Sequence, residues 1–330
     1  MKKKKEDTVF ILGAGASVPY GFPTSNSLRK DIIDNFANKF SSIYEVDATS
    51  DEFFYDVQRN EIEEFQKRFD LSSIFSVDYF MSRNPRYLDW GKDAIIIHLL
   101  EYERNCKFRE SSLLKNEDWY SYLYNYMISN LRSPESFSRI TSNNFSFLTF
   151  NYERSLEYFL AESISYSFEG MTHPQLKEVM RNIPIIHIYG KISPLPYHKN
   201  EEGLKFGKEI KYNTLPKLRE NIRTICDNNS VNSEVSEIIS EARRIFFLGF
   251  GYDKLNLRNL SIPDCLHSKQ KIYGTAIGYN KRFIEGLKEF IIDGNHTSQL
   301  NRGIKKPTLI NKEDLIFENV DSLTLLKNYL

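Results

Sequence analysis

The sequence predicts an α/β fold, in which a mostly parallel sheet has helices on both faces and a helical module is inserted after the first strand. Two observations support this prediction. Five short apolar or aromatic segments each end at a glycine, an asparagine or another turn-forming residue. About 130 residues with helical periodicity separate the first two of these segments. Near-continuous apolar runs are typical of strands buried on both faces, as in a parallel sheet.

These two patterns define the predicted elements. The strand candidates cover residues 8–12, 146–150, 183–189, 244–248 and 271–277. Apolar residues at helical spacing predict helices over residues 26–40, 53–69, 89–107, 116–131 and 230–243. The charged segment 201–213 is expected to be an exposed loop. After the last of these strands, we expect a helix over 280–292, a loop around Gly294 and a closing strand–helix pair.

Charge and hydropathy argue against several classes of protein. Lys+Arg and Asp+Glu both number 44, so the formal net charge is zero, which argues against direct nucleic-acid binding by a uniformly basic surface. The apolar run 9–12 is too short for the core of a signal peptide, and no stretch approaches the roughly 20 apolar residues of a membrane span. We therefore expect the lysines at 2–5 to form a solvated tail, and the protein to be cytoplasmic with no membrane partner.

The cysteines and most of the histidines show no metal-binding pattern. Three cysteines, at 106, 226 and 265, lie far apart without a C-x-x-C pair, which excludes a ribbon-type zinc site and is typical of a reducing cytoplasm. The histidines at 173, 198, 267 and 296 lack metal-ligand spacing, and His98 lies in an apolar helical run where a core position is expected. The sequence therefore predicts no metal.

A glycine-rich turn follows the first predicted strand. Gly13 and Gly15 lie where a phosphate-binding turn belongs, because glycine permits a tight bend and lets backbone N–H groups approach a pyrophosphate. Val18 replaces the third glycine of the dinucleotide fingerprint. The acidic residue expected about 20 positions later is absent, since Asp31 and Asp34 fall on a predicted helix. The turn thus argues against a dehydrogenase, and a tight turn without a ligand stays an alternative.

Four motifs occur in order, each at the end of a predicted strand. They are GAGAS with GFPT within 13–24, TFNYE at 149–153, IIHIYGK at 185–191 and FFLGFGYDKLN at 246–256. Because of these four motifs, the chain resembles the sirtuin-like family. Within that family it resembles the bacterial branch, whose members are NAD-hydrolysing effectors of antiphage defence. The resemblance implies a single sirtuin-like domain over 1–330, with a Rossmann-like core at about 8–30 and 140–330 and a helical insert at about 31–139.

The resemblance also implies where NAD+ would bind. Its cofactor-binding residues would be Gly13, Ala14, Gly15 and Ser17 at the phosphates, and Gly249 and Gly251 at the adenylate side, together with Thr24, Gly190, Asp253 and Asn256. Asn151 would be catalytic, contacting the nicotinamide ribose and the attacking water. The alternative for Asn151 is an asparagine that only forms a turn after a strand.

The catalytic base is where the chain departs from the family pattern. The family has a histidine directly before the glycine of its third motif, whereas this chain has Tyr189 there and His187 two residues earlier. On a strand these two side chains project to the same face. Three alternatives stay open. His187 is the base; Tyr189 assists, although a tyrosine with a pKa of about 10 is a poor base at neutral pH; or the site binds without efficient catalysis and His187 is a hydrogen-bonded strand residue.

One further segment, SVDYFM at 76–81, resembles the amphipathic segment that roofs the pocket in defence-type members. The alternative is a helix that packs Val77, Phe80 and Met81 on the core.

The function implied by the resemblance is hydrolysis of NAD+ to nicotinamide and ADP-ribose, by an effector that depletes NAD during abortive infection. The four-cysteine zinc ribbon of protein-deacylating sirtuins is missing from the sequence, which argues against deacylation. One alternative is a non-catalytic or weakly catalytic NAD or ADP-ribose sensor subunit of a defence complex, and another is a structural subunit with a vestigial pocket. The implied partners are further copies of the chain, or a separate sensor, ATPase, short Argonaute system or nucleotide-modifying protein.

Overall fold

A sheet of six parallel strands forms the centre of the computed structural model, which describes residues 7–45, 52–109, 118–129, 131, 140, 144–196, 203–224, 232–304 and 309–330. The strands β1 to β6 are Thr8–Leu12, Phe145–Thr149, Ile185–His187, Arg244–Leu248, Lys271–Thr275 and Leu315–Glu318. Their spatial order is β3-β2-β1-β4-β5-β6, and every neighbouring pair is parallel. This is the strand order of a Rossmann-like fold, which confirms the predicted α/β class.

Helices connect and cover the strands. Within the described ranges, α1 to α12 are Ser25–Glu45, Glu52–Leu71, Val77–Arg83, Leu88–Asn105, Trp119–Ile128, Ser155–Ser167, His173–Asn182, Leu215–Arg219, Asn232–Glu241, Lys254–Asn259, Lys281–Asn301 and Ser322–Tyr329. The first five lie between β1 and β2 along the chain, where the helical stretch is predicted. Of the helices in these ranges, none combines the length and the apolar character needed to cross a bilayer.

The central strands are buried on both faces because their side chains alternate between two apolar layers. In β1, Val9 and Ile11 belong to one layer, and Phe10 and Leu12 belong to the other. Side chains of α1, α2, α4 and α9 contribute to the first layer, and those of α5, α6, α7 and α12 contribute to the second. Strands with two buried faces need apolar residues at nearly every position, which explains the continuous apolar runs of the sequence.

Two predictions differ from the structure for an identifiable physical reason. The predicted strand 183–189 shortens to β3 because a turn follows it, in which the Gly190 N–H donates to the His187 carbonyl at 3.2 Å and Gly190 has a φ of +75°. The predicted loop around Gly294 is wrong, since Gly294 lies within α11. Glycine is needed there because an added Cβ would lie 2.3 Å from the Cγ of Pro263.

The other predicted elements are found with small shifts at their ends. Predicted strands 146–150 and 271–277 become 145–149 and 271–275, and β6 with α12 forms the closing strand–helix pair. Residues 203–211 form an irregular loop. Parts of the predictions fall outside the described residues, namely positions 2–5, 116–117, 130, 201–202 and 230–231, together with His198 and Cys226.

A buried ion pair joins the helices between β1 and β2 to the end of β2. Arg154 donates to both carboxylate oxygens of Glu103 on α4, at 3.0 and 2.6 Å, and both side chains are fully buried. The Arg154 guanidinium also donates to the Leu204 carbonyl at 2.6 Å. Such a pair is costly to break, because either partner alone would be an uncompensated buried charge. It therefore fixes the residues that follow β2, which line the site described next.

Candidate functional site

A cleft of about 750 Å³ lies at the carboxyl ends of the strands. The loops after β1 and β4 form part of its wall, and these two strands are neighbours at the point where the strand order reverses. Open α/β sheets bind their ligands at this point, and the volume is typical of a small-molecule site. From the strand ends the lining includes Gly13, Ala14, Phe150, Asn151, Phe250 and Gly251.

A smaller cavity of about 80 Å³, here named the inner cavity, shares part of its wall with the cleft. Both are lined by Ala14, Ser25, Ser76, Asp78, Phe150 and Asn151. Most of the other walls of the inner cavity are apolar, including Phe22, Leu28 and Val77, while Thr24 and Glu153 add polar groups. Apolar walls with a few placed polar groups suit a flat heterocycle.

The two glycine loops pack directly on each other. The Gly15 N–H donates to the Gly249 carbonyl at 3.0 Å. A Cβ added to Gly13 would lie 2.5 Å from that carbonyl oxygen, and a Cβ on Gly249, whose φ is +56°, would lie 1.9 Å from the Ala16 nitrogen. Glycine at these positions is therefore explained by packing inside the protein. Gly251 differs, because it lines the cleft and an added Cβ there would meet open space.

The backbone amides of the first glycine loop are largely engaged within the protein. The N–H groups of Gly13, Ala16 and Ser17 donate to the carbonyls of Leu248, Gly13 and Ala14 at 3.0, 3.0 and 3.2 Å. A phosphate at this loop would have to share these donors. Of the four predicted phosphate-binding residues, Gly13 and Ala14 line the cleft and Ala14 and Ser17 line the inner cavity, while Gly15 lines neither.

Asn151 comes directly after Phe150, the first residue beyond β2, and lines both cavities. Its Nδ2 lies 3.2 Å from the Gly13 carbonyl oxygen, 3.1 Å from the Ser17 Oγ and 3.2 Å from the Glu153 Oε1. These partners hold the NH₂ group of the amide, and none of the described residues donates to its Oδ1. The side-chain carbonyl of Asn151 is therefore the group available to a ligand hydroxyl.

Glu153 completes this buried network. The Ser17 hydroxyl donates to its Oε1 at 2.5 Å, and the Ser155 N–H donates to its Oε2 at 2.5 Å. Burial raises the pKa of the Glu153 carboxyl, and the hydrogen bonds from both serines oppose this shift. The hydroxyl of Ser17, predicted to bind phosphate, is thus directed at Glu153.

His187 lies at the end of β3 and lines neither cavity. Its Nδ1 is 2.8 Å from the Asn151 backbone carbonyl, and its Nε2 is 2.9 Å from the Glu157 Oε1, which also accepts from Lys191 at 3.0 Å. The expectation that His187 and Tyr189 point into one pocket fails, because β3 ends at His187 and a turn follows. With both ring nitrogens engaged, His187 contacts Asn151 from behind through its backbone.

Tyr189 lines the cleft, but its hydroxyl is also fully engaged. It donates to the Asn256 Oδ1 at 2.6 Å and accepts from the Asn259 Nδ2 at 2.8 Å. Burial raises the pKa of Tyr189 well above the ordinary value of a tyrosine. Tyr189 therefore stays protonated at neutral pH and is poorly suited to accept a proton. Its contact with Asn256 joins two residues in the wall of the cleft.

Helix α3 forms part of the wall of the cleft through Asp78, Tyr79 and Arg83. Val77, Phe80 and Met81 are buried in the core, as the packing alternative for this segment predicts. Asp78 on the same helix lines both the cleft and the inner cavity, and the Tyr152 hydroxyl donates to its Oδ1. Sequence analysis missed Asp78, although a single acidic residue in an otherwise apolar helix turn was a signal for it.

A second contact joins α3 to the loop after β4. The Tyr79 hydroxyl donates to the Asp253 Oδ1 at 2.8 Å, and that oxygen also accepts the N–H of Leu255, at 2.8 Å, as the cap of α10. Burial and this hydrogen bond raise the pKa of Tyr79 to about 12. Asp253, predicted to bind the cofactor, thus lines the cleft and also joins the loop after β4 to α3.

The remaining predicted residues are divided between the site and its support. Thr24 lines the inner cavity and caps α1, where its Oγ1 accepts the Ser27 N–H at 3.2 Å. Gly249 and Gly190 line neither cavity. A Cβ on Gly190 would lie 1.9 Å from the Asn221 carbonyl oxygen, so its glycine serves the turn after β3.

Among the described residues, neither the metal-ligating side chains nor the other buried histidine, His98, forms a second functional site. In the part of the chain that the structure describes, no cluster of three or more His, Cys, Asp or Glu side chains could hold a metal ion. His98 is fully buried, with its Nδ1 2.7 Å from the Ala94 carbonyl oxygen. Burial lowers its pKa to about 4, so it is the satisfied core histidine that the sequence predicts.

The cleft itself is the basis for any functional argument, because no protein-family model matches the chain and no curated protein matches it significantly. It combines the amide oxygen of Asn151, the carboxylates of Asp78 and Asp253, and aromatic walls at the switch point of a Rossmann-like sheet. Such a set can bind a nucleotide and orient a sugar hydroxyl or a water. It offers carboxylate chemistry, and no histidine among the described residues lines the cleft.

Proposed function

We propose that the chain is a NAD+ hydrolase of the sirtuin-like type, which cleaves the nicotinamide–ribose bond to give nicotinamide and ADP-ribose. The observation that carries this proposal is the position of Asn151. Its amide lies where the cleft and the inner cavity meet, its NH₂ group is held by the protein, and its Oδ1 accepts from no described residue. A fixed acceptor at this point suits a ribose whose two sides carry a heterocycle and a phosphate chain.

The two cavities suggest how the substrate would lie. The nicotinamide ring suits the inner cavity, because apolar walls such as Phe22, Leu28 and Val77 alternate there with polar groups such as Thr24 and Glu153. The nicotinamide ribose would then lie beside Asn151. The phosphates and adenosine would extend along the cleft past Gly251, where the open space leaves room for a backbone–ligand contact.

The chemistry requires few groups. The C1′–N bond breaks with its electron pair passing to the nicotinamide nitrogen, which cancels the positive charge of the ring, so no general acid is needed. The ribose passes through an oxocarbenium-like state, and a water oxygen forms the new bond to C1′. The water loses one proton to a base and then to solvent. Asn151 lowers the barrier by orienting the ribose hydroxyl or the water.

A second candidate, a sensor subunit that binds NAD+ or ADP-ribose without efficient turnover, is favoured by a different observation. Both ring nitrogens of His187 are engaged, and burial raises the pKa of Tyr189. Neither residue of the third motif is thus suited to accept a proton in the cleft. Binding requires only the walls of the cleft, which would serve a sensor equally well.

The biological setting that we propose rests on the motif resemblance. The chain would act in the cytoplasm as an effector of bacterial antiphage defence that depletes NAD during abortive infection. It would assemble with further copies of itself or with a separate sensor, ATPase or nucleotide-modifying partner that holds it inactive before infection.

The test is nicotinamide release from NAD+ by the purified full chain at high concentration, together with calorimetric titration of NAD+ and ADP-ribose. Asn151→Ala is expected to lower release by about 10²-fold or more, because a positioned polar group at the reacting centre is lost. Asn125→Ala, at an exposed asparagine on α5, is the matched control and should release nicotinamide at the wild-type rate. Binding without release would favour the sensor, and absence of both would refute both candidates.

A further inference from the structure

Asp78 is an acidic side chain on α3 that lines the cleft and the inner cavity alike. Asp253 lines only the cleft, and Glu153 lines only the inner cavity. A group that acts on the bond between a ribose and its heterocycle has to reach the boundary between the two cavities, and among these three carboxylates Asp78 does so.

The surroundings of Asp78 hold the carboxyl group without neutralising it. The Tyr152 hydroxyl donates to its Oδ1, and Tyr152 in turn is fixed near the Arg223 carbonyl at 3.1 Å. No lysine, arginine or histidine of the described residues forms an ion pair with Asp78. Burial raises the pKa of the Asp78 carboxyl, and the hydrogen bond from Tyr152 opposes this.

We propose that Asp78 is the catalytic base of the hydrolysis, a role that rests on the proposed function. In this step the C1′–N bond breaks with its electron pair moving to the nicotinamide nitrogen. The water oxygen bonds to C1′, and a water proton passes to the carboxylate of Asp78, which later returns it to solvent. The negative charge of Asp78 also lies where the positive charge of the oxocarbenium-like ribose develops, so one carboxylate serves both needs.

The other acidic and basic groups nearby are already committed elsewhere. Both oxygens of Glu153 accept hydrogen bonds from protein donors, and His187 lies outside both cavities. The Tyr189 hydroxyl donates to Asn256 and accepts from Asn259. The base thus comes from α3 instead of from the third motif after β3.

The experiment compares nicotinamide release by wild type, Asp78→Asn, Asp78→Ala and the surface control Asp34→Asn, each checked for folding by its Tm and for NAD+ binding by calorimetry. Asp78→Asn keeps the size of the side chain and should still bind NAD+, while release falls by about 10²-fold or more, the usual contribution of a general base. Sodium formate, an external carboxylate, should raise release by Asp78→Ala and leave Asn151→Ala unchanged. Asp34, exposed on α1, should be replaceable without effect.

The pH profile gives a second readout. The titratable and charged groups that line the two cavities together with Asp78 are Tyr79 and Arg83 on α3, Tyr152 and Glu153 after β2, Tyr189 after β3, Asp253 after β4 and Tyr279 after β5. Because Asp78 must be ionised to accept a proton, kcat/KM should fall on the acidic side, at a pH above the usual aspartate range, and Asp78→Asn should lose this limb.

Two different failures can be told apart. Release by Asp78→Asn at the wild-type rate would overturn this assignment and leave the hydrolase intact. Absence of release by wild type, with NAD+ bound, would overturn the hydrolase and the assignment together.

Discussion

Two sides of the same cleft differ in how far their polar groups are hydrogen-bonded within the protein. On the side of the strand ends, here named the floor, Ser17, Asn151, Glu153, His187 and Glu157 form a buried chain in which nearly every polar atom has a partner in the protein. On the side of α3, here named the roof, Asp78 accepts a hydrogen bond from the Tyr152 hydroxyl and lines both cavities.

This difference distinguishes the residues that hold the site in place from the residues that take part in the reaction. A buried polar network that is fully paired is rigid and expensive to disturb, because each lost partner leaves a desolvated group behind. Substitutions in the floor should therefore lower stability and activity together. Substitutions in the roof should change activity while the fold persists, since those side chains face a cavity that water can enter.

The largest effect is expected in the floor at Gly249→Ala. The new methyl group would lie 1.9 Å from the Ala16 nitrogen, on a backbone whose φ is +56°. Strain and overlap with backbone should lower the free energy of unfolding by more than about 3 kcal/mol. Urea denaturation followed by circular dichroism measures this.

Gly251→Ala is the matched control in the same loop, because its methyl group would meet open space. It should change the free energy of unfolding by less than about 1 kcal/mol and weaken NAD+ binding instead. Equal stability of the two variants would contradict the tight packing between the glycine loops.

His187→Ala is the next test and the one that best separates the two sides. The substitution removes the contacts of the His187 ring with the Asn151 carbonyl and with Glu157, while the ion pair between Glu157 and Lys191 remains. We expect the free energy of unfolding to fall by about 2–4 kcal/mol and kcat to fall by about tenfold, since Asn151 loses support. The acidic limb of kcat/KM should persist, because it is assigned to Asp78.

His187→Gln is the conservative variant, since its amide can still donate to the Asn151 carbonyl, and it should recover part of both losses. Loss of the acidic limb at unchanged stability would instead make His187 the base and reverse the assignment of floor and roof.

The fold was largely accessible from sequence because its signals are local. Strands β1 and β4 have the predicted bounds, since a strand buried on both faces needs a continuous apolar run and ends at a turn former. Gly294 misled the prediction because glycine marks a loop in most local contexts, whereas here it permits close packing of α11 on Pro263. That reason is tertiary and leaves no local trace.

The site could be predicted only in part, because tertiary contacts that leave no local trace in the sequence also shape it. Asn151 and Gly251 follow strands whose ends meet at one edge of the sheet, so topology alone brings them together. Whether a side chain faces the cleft depends on contacts distant in sequence. Glu157, which lies 30 residues before His187 in the sequence, forms the hydrogen bond with the His187 Nε2. Asp78 on α3 contacts Tyr152, which follows β2 and lies 74 positions further along the chain.

The smallest effect is expected at Tyr79→Phe, which tests whether the roof is held to the opposite wall. The Tyr79 hydroxyl donates to Asp253 at 2.8 Å, and the Asp253 carboxylate keeps the N–H of Leu255 as a donor when that hydroxyl is removed. The free energy of unfolding should change by about 1 kcal/mol or less. Because Tyr79 and Asp253 line the cleft but not the inner cavity, KM for NAD+ should rise by about 2–5-fold while kcat stays unchanged. Tyr166→Phe, at a tyrosine that is 85% exposed on α6, is the control. A fall in kcat at constant KM would place Tyr79 beside Asp78 in the chemistry, and the roof would then contribute two groups to the reaction.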